Sequence, residues 1–348
     1  MAATRETLQL LADLNGEVDD HIDGVTRDLT AAWAHAWDVL EPGFATGLSN
    51  VLAEPGDTVT RRQLFRDPAL QGSLGASVRA LDALAALAAT KATGAARAAA
   101  QQGADGQAAI IASQMPPQRP VTEASLGGFA ERALAAILAR ISQRITALTR
   151  PLSPDADQAM RRELVRGMQL GLNPRAVARR ILQAVEGAFN GGLSRALTIS
   201  RTEIMSAYRE AAAIGQNAQR DVLEGWVWVA SLSNRTCFVC WSLHGSKHPL
   251  TEPGPQGHVN CRCVRSPELM SWQDLGFDIP EPPSLIPNAQ ERFASLSRAD
   301  QLQIMGPARL DLLDRGAVQW GDLARLRDNP GWRPSWAPVP VRDLPRAG

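Results

Sequence analysis

The chain is poor in thiols, in aromatic side chains and in lysine, and neither sign of charge is in excess. Cysteine occurs four times in 348 residues, too seldom for a disulfide scaffold, and clustered thiols in a reducing compartment favour metal over bridges. Aromatics make up 5% of the chain against 45% for all hydrophobic residues. The surplus is alanine, which points to helices with thin side chains rather than aromatic-rich sheets. Lys plus Arg and Asp plus Glu stand at 36 each, which argues against a globally basic nucleic-acid binder or a polybasic membrane protein. Lys91 and Lys247 are the only lysines, so arginine carries nearly all the positive charge. The first residues lack the charged-then-apolar layout of a secretion signal, and no run reaches the roughly 18 apolar residues of a membrane span. The expectation is a soluble intracellular chain of two or three units.

What the chain does have is concentrated. All four cysteines and three of the five histidines fall between Thr236 and Val264. Cys237-x-x-Cys240 in a tight turn can hold one face of a tetrahedral Zn²⁺, and Cys261-x-Cys263 with His258 offers the other. Cys237, Cys240 and Cys261 are the firm ligands. The fourth place is open between His258 and Cys263, and a reading in which Cys261 and Cys263 face apart favours His258 slightly. A redox dithiol normally opens a helix, and the second cysteine pair favours a metal over it. A catalytic zinc would need an open position and an acid or base such as His244, His248 or Glu252, and the His-x-Glu of the zinc deaminases has no counterpart. Structural zinc is the expectation, with folding energy drawn from the metal.

Around this cluster the chain reads as mainly α. Apolar residues from Leu8 to Leu40 recur at three- and four-residue spacing, predicting helix over 5–53 with an end near Glu41-Pro42-Gly43, because proline cannot continue it. A charged connection over 57–75 precedes an alanine-rich helix over 76–102, a Gly/Pro linker over 103–122 and an amphipathic helix over 123–148. Asn173 and Pro174 suit the cap and first position of a short helix carrying Arg175, Arg179 and Arg180. With the helix before it, this is either a plain helical hairpin, the commoner form, or a DNA-reading helix-turn-helix. A helix over 193–221 bears Arg201 and Glu203, and a β-branched and aromatic run over 225–230 predicts a strand delivering the chain to Cys237. Beyond Cys263, Val264 is strand-like and 268–275 helix-like. A proline-rich arm over 278–287 leads to helices over 288–305 and 308–314 and a turn over 320–327. The tail alternates Trp with Pro and either docks on a neighbour or stays disordered.

The order Ile199-Ser200-Arg201-Thr202-Glu203, a strand, Asn234-Arg235-Thr236-Cys237-x-x-Cys240-x-x-Leu243-x-Gly245 and His258-x-Asn260-Cys261-Arg262-Cys263 resembles the Mu F-like minor head proteins of tailed phages, also called head morphogenesis proteins. The strict resemblance covers about 160–270, and Asp300 to Gly306, with Gly316 and Asp322-Leu323, extends it. Asn234 stands where the family usually has aspartate, and Val259 where it has proline; the metal set is untouched. The resemblance implies a non-enzymatic component of a tailed phage, prophage or phage-derived particle such as a gene transfer agent. It would sit in few copies at the portal vertex of the virion head, with the host cytoplasm as its place of assembly. The implied partners are the portal and other head proteins, with genomic DNA as a further candidate and no membrane. The implied division is a helical region over 1–150, an α+β module over 151–275 with its zinc knot at 237–263, and an arm and tail over 276–348. Arg201 and Glu203 are expected to buttress the metal loops. The rival class is a zinc-dependent nuclease or another DNA-acting enzyme packaged with the virion, using Glu203, His244, His248 or Glu252.

Overall fold

A computed structural model describes residues 3–53, 68–116, 174–330 and 333–345, with 135–137, 139–141, 143 and 162 besides. The chain is mainly helical. Among the described residues, three long helices, α1 (Arg5–Ala53), α2 (Pro68–Ala112) and α3 (Pro174–Ala218), precede a small α/β region. Its elements are β1 (Leu223–Val229), α4 (Phe238–Leu243), β2 (Lys247–Pro249) and β3 (Val264–Leu269). Three short helices follow, α5 (Ala289–Ala294), α6 (Arg298–Met305) and α7 (Pro307–Asp314), then strands β4 (Ala324–Arg327) and β5 (Ser335–Pro338). The chain divides into two compact units. One comprises Met1–Asp19, Ala96–Ala139 and Ile204–Gly348, the other Asp20–Ala95 and Arg140–Glu203.

The second unit is a helical packing of thin faces. Ile22, Val25, Leu29, Trp33, Leu40 and Phe44 of α1 are buried, as are Leu81, Leu84, Ala88 and Ala92 of α2. Lys91 reaches Asp28 at 2.7 Å. The expected end of α1 at Pro42 is not observed, since the helix runs on to Ala53. Proline removes one backbone hydrogen bond, but the helical spacing of Leu40 and Phe44 carries the buried stripe across it. At Gly43 a Cβ would stand 2.8 Å from Ser73 Oγ, so glycine lets α1 and α2 approach there.

In the first unit, residues 103–112 of the expected linker are helical. A Cβ on Gly103 would meet the Tyr208 carbonyl oxygen at 2.5 Å, and one on Gly106 would meet Leu14 Cδ1 at 2.3 Å. These glycines are contact points between helices, not breaks. Residues 117–122, the helix expected over most of 123–148 and the first half of the expected helix-turn-helix lie outside the described residues. The second half is part of α3, which passes unbroken through Gly187 and Gly191 rather than stopping near residue 188. Within α2, Gln71–Ala112 is long and apolar enough to cross a membrane by length and composition alone, a test that its alanines satisfy. The reading that no run reaches such a length is corrected to that extent.

The sheet has the order β2-β1-β3, all antiparallel, with Trp226 facing His248 on one side and Pro267 on the other. β3 includes Pro267 and Glu268, where helix was expected after Pro267. Proline is tolerated there because β3 is an edge strand. Trp226, Trp228 and Trp241 are essentially inaccessible, and Phe293 of α5 packs edge-on against Trp241 at 5.6 Å and Trp320 at 5.1 Å. Such aromatic pairs add about 0.5–1.5 kcal/mol each beyond area burial. The helix expected over 288–305 is broken into α5 and α6, each capped by its own side chain, Asn288 and Ser297. The described part of the tail folds back on its own chain. β5 pairs with β4, the Trp336 amide donates to Gln256 O at 2.9 Å, and Arg309 donates to Val339 O at 3.0 Å.

A buried polar chain ties the sheet to the helices. Arg265, fully buried, donates through Nε to Gln216 Oε1 at 2.7 Å. Gln216 donates to Gln107 Oε1 at 2.7 Å, and Gln107 to Gly103 O at 3.0 Å. The Arg265 guanidinium also covers the Trp226 ring at 4.6 Å, and burial pushes its pKa down to about 9.

Candidate metal centre

β1 ends in a loop that leads into α4. Cys237 occupies the N-cap of α4, with extended φ and ψ, and Cys240 lies one turn in. The pair therefore opens a short helix where a simple turn was expected, so the helix criterion no longer separates it from a redox dithiol. The second cysteine pair still does. His258 and Cys261 come from the loop between β2 and β3, and Cys263 immediately precedes β3.

The five donors form two triads, Cys237–Cys240–His258 and Cys240–Cys261–Cys263, each with its ligand atoms within 4.8 Å of one another. All four cysteines are free thiols. With Zn–S of about 2.3 Å and Zn–N of about 2.0–2.1 Å, a tetrahedral ion separates two sulfurs by about 3.8 Å and a sulfur and nitrogen by about 3.6 Å. Cys240 Sγ lies 3.7 Å from Cys261 Sγ and 3.6 Å from His258 Nε2, close to both edges. Cys237 Sγ stands 2.9 Å from His258 Nε2, about 0.7 Å inside that edge, as in a thiol–imidazole hydrogen bond. His258 Nδ1 donates to Val259 O at 2.7 Å, which turns Nε2 toward the sulfurs. Such an outer hydrogen bond orients ligating imidazoles.

Cys263 is placed differently from the expectation that it faces away from Cys261. Residues two apart in extended chain share a face, and the two sulfurs sit in one triad. Both remain donors.

Electrostatics divide the thiols. Cys237 is pulled down to about 5 by its hydrogen bond with Cys240 and by the His258 imidazole, against burial. Hydrogen bonds with Cys240 and Cys263, together with the Arg209 charge, hold Cys261 well below the usual thiol range. Cys240 is raised by its contacts with Cys237, Cys261 and Cys263 and by burial. His258 is raised to about 9, chiefly by Cys237. Cys237 and Cys261 are thus set to be thiolates, the form in which sulfur binds metal.

Two features of the surroundings had no place in the sequence reading. Arg209 of α3, 5% exposed, donates through Nε to Cys263 O and through Nη2 to Cys261 O, both at 2.8 Å. Its signal was an arginine within an otherwise buried run, Ile204 to Tyr208 and Ala211. Gly257, directly before His258, has no room for a side chain. A Cβ there would stand 2.3 Å from Cys261 Sγ and 2.6 Å from Cys261 Cβ. Arg262 is paired with Asp19 at 3.0 Å.

Residues 158–266 match the family described as phage Mu protein F like protein. This is the family that the sequence motifs resemble. The matched segment contains all five sulfur and imidazole donors, together with Arg209 and Gly257. It leaves the first 157 residues and the C-terminal arm and tail outside the match. No curated protein and no solved structure matches the chain.

The residues set aside for catalysis have other occupations. Glu203 is buried in α3 and Arg201 is half-buried, and both have polar partners. His244 accepts from the Ala230 amide through Nδ1 at 3.0 Å, so its Nε2 donates to Pro287 O at 3.1 Å, joining the residue after β1 to the proline arm. His248 stacks on Trp226 at 4.2 Å and lies between Ser246 Oγ at 2.8 Å and Glu252 Oε1 at 3.0 Å. The distances are those of a serine–histidine–carboxylate relay. However, the Ser246 hydroxyl gives its proton to Leu243 O at 2.6 Å. Leu243 O thus competes with His248 Nε2 for the single hydroxyl proton, which a general base must receive. A cleft of about 420 Å³ beside α4 is lined by Trp241, Ser242, His244, Lys247, Asn288 and Trp320 among others, and by none of the five metal donors.

Proposed function

We propose that the chain is a structural minor head protein of a tailed phage or phage-derived particle, and that its Cys/His cluster holds one structural Zn²⁺. The carrying observation is that the segment matching the phage Mu protein F like family is the segment that gathers the sulfur and imidazole donors. Cys237, Cys240, Cys261 and either His258 or Cys263 would bind the ion, and the fifth donor would neighbour it. Zinc would supply folding energy by joining the α4 turn to the loop before β3, in addition to the core that Trp226, Trp228 and Trp241 build beside it. The placement at the portal vertex, the role in head assembly or DNA delivery, and an oligomeric state within the particle follow from the resemblance. In this reading residues 151–275 are the head-morphogenesis module, 1–150 a helical region and 276–348 an arm and tail. A portal ring encoded beside the gene should retain the purified chain in a pull-down. It should not retain a Cys237→Ser/Cys240→Ser variant. A chain that binds no metal and ignores the portal would end the proposal.

We favour the structural reading over the enzyme alternative on two observations. The donors do not line the cleft, so a substrate there would not meet the ion, and Leu243 O competes with His248 for the Ser246 proton.

A further inference from the structure

We propose that Arg209 is the positioning residue of the metal centre, fixing both ends of the Cys261-Arg262-Cys263 segment and supplying the positive charge that a thiolate-rich site lacks. The inference rests on reading the cluster as a metal site. Three thiolates around a dication leave one net negative charge, and four leave two. Cys240, Cys261 and Cys263 are at most 4% exposed, so water does little to screen that charge. Arg262, which stands between the two cysteines in sequence, is already paired with Asp19. Among the described residues, the hydrogen bonds of Arg209 run to the two cysteine carbonyls and not to a carboxylate.

Geometry makes arginine the suitable cation. The guanidinium is a planar fork whose Nε and Nη2 point the same way, and here they meet carbonyls two residues apart at equal distances of 2.8 Å. Carbonyls two apart in extended chain point to one side, as their side chains do. Gripping both therefore fixes the orientation of both cysteines. A lysine places its charge nearby but offers no fork. The arginine is anchored in turn by α3, where Met205, Tyr208 and Ala212 are fully buried.

The test uses the full chain with Arg209→Gln and Arg209→Lys. Zinc affinity is measured by chelator competition, Co²⁺ is used to read the sulfur-to-cobalt charge-transfer band, and each metal-stripped chain is melted as a control. Arg209→Gln should weaken zinc by about 10–100-fold and shift the cobalt band, in keeping with other outer-shell losses. Arg209→Lys should restore part of the affinity by keeping the charge. Zinc affinity within twofold of the parent in both variants overturns the proposal. So does an equal loss of stability with and without metal, which marks a purely structural arginine. Because removing a buried arginine can unfold the chain, the unaltered protein gives an independent reading by nitrogen-15 NMR. Arg209 Nε–H should exchange slowly in the zinc form and move when Cd²⁺ replaces zinc. Exchange as fast as that of Arg342, which is 83% exposed, overturns the proposal. A parent chain that binds no metal sinks the metal reading itself. A parent that binds zinc while the arginine measurements fail sinks only the role of Arg209.

Discussion

Gly257→Ala is the smallest change that should dismantle the metal centre. The added Cβ would stand 2.3 Å from Cys261 Sγ and 2.6 Å from Cys261 Cβ, where contacts under 3.0 Å are essentially never seen. The sulfur or the loop must therefore retreat by about 0.7 Å, whereas metal–ligand distances tolerate only about 0.2 Å. Relief by moving the sulfur removes Cys261 from the ion. Relief by moving the loop shifts His258, the next residue. Either way one donor leaves, and an affinity loss of at least 10–100-fold is expected, the range already seen for outer-shell changes. Steric strain of about 1–3 kcal/mol remains even without metal. The assay is zinc stoichiometry by plasma mass spectrometry after dialysis against a competing chelator, with melting curves before and after stripping. Gly321→Ala is the control, since a Cβ there meets nothing within 4 Å. Full zinc occupancy at parental affinity in Gly257→Ala would refute the geometric reasoning.

Further expectations follow from neighbouring residues. The fourth ligand is decided by comparing His258→Asn with Cys263→Ser in the cobalt form: the true ligand changes the tetrahedral spectrum and the spare donor does not, and two unchanged spectra would contradict both assignments. Burial lowers the His244 pKa below its ordinary 6.5, so its contribution to stability is complete above that value and is lost as pH falls through the lower folded one. Protection of residues 284–288 from hydrogen exchange, corrected for intrinsic rates, should thus fall from pH 7 to pH 5 in the parent and depend less on pH in His244→Gln; identical profiles would refute the link. A fluorophosphonate probe should leave Ser246 unlabelled, because Leu243 O competes with His248 for its proton; stoichiometric labelling abolished by His248→Ala would revive the enzyme reading.

The chemistry of this chain was more legible in its sequence than its packing. Cys237, Cys240, His258, Cys261 and Cys263 could be grouped because metal ligands must be particular residue types at short spacings. β1 could be found because Trp and Val crowd together there. Pro42, Gly103 and Gly106 misled because local rules treat proline and glycine as breaks, while here helix contacts decide their use: Gly106 sits against Leu14, which lies far away in sequence. The same holds for Arg209, whose partners are 52 and 54 residues downstream. The Trp/Pro tail was expected to dock on a neighbour or stay disordered, but the Trp336 amide finds its partner at Gln256 of the same chain. Long-range pairing of this kind leaves no periodic trace.

The central claim is that a bound ion staples the α4 turn to the loop before β3. Metal analysis of the purified full chain, followed by hydrogen exchange across 237–263 with and without chelator, tests it most directly. One zinc per chain is expected, with protection of that segment lost on stripping and regained on adding zinc. A chain that is free of metal as purified, and equally protected in the presence of chelator, would contradict the account.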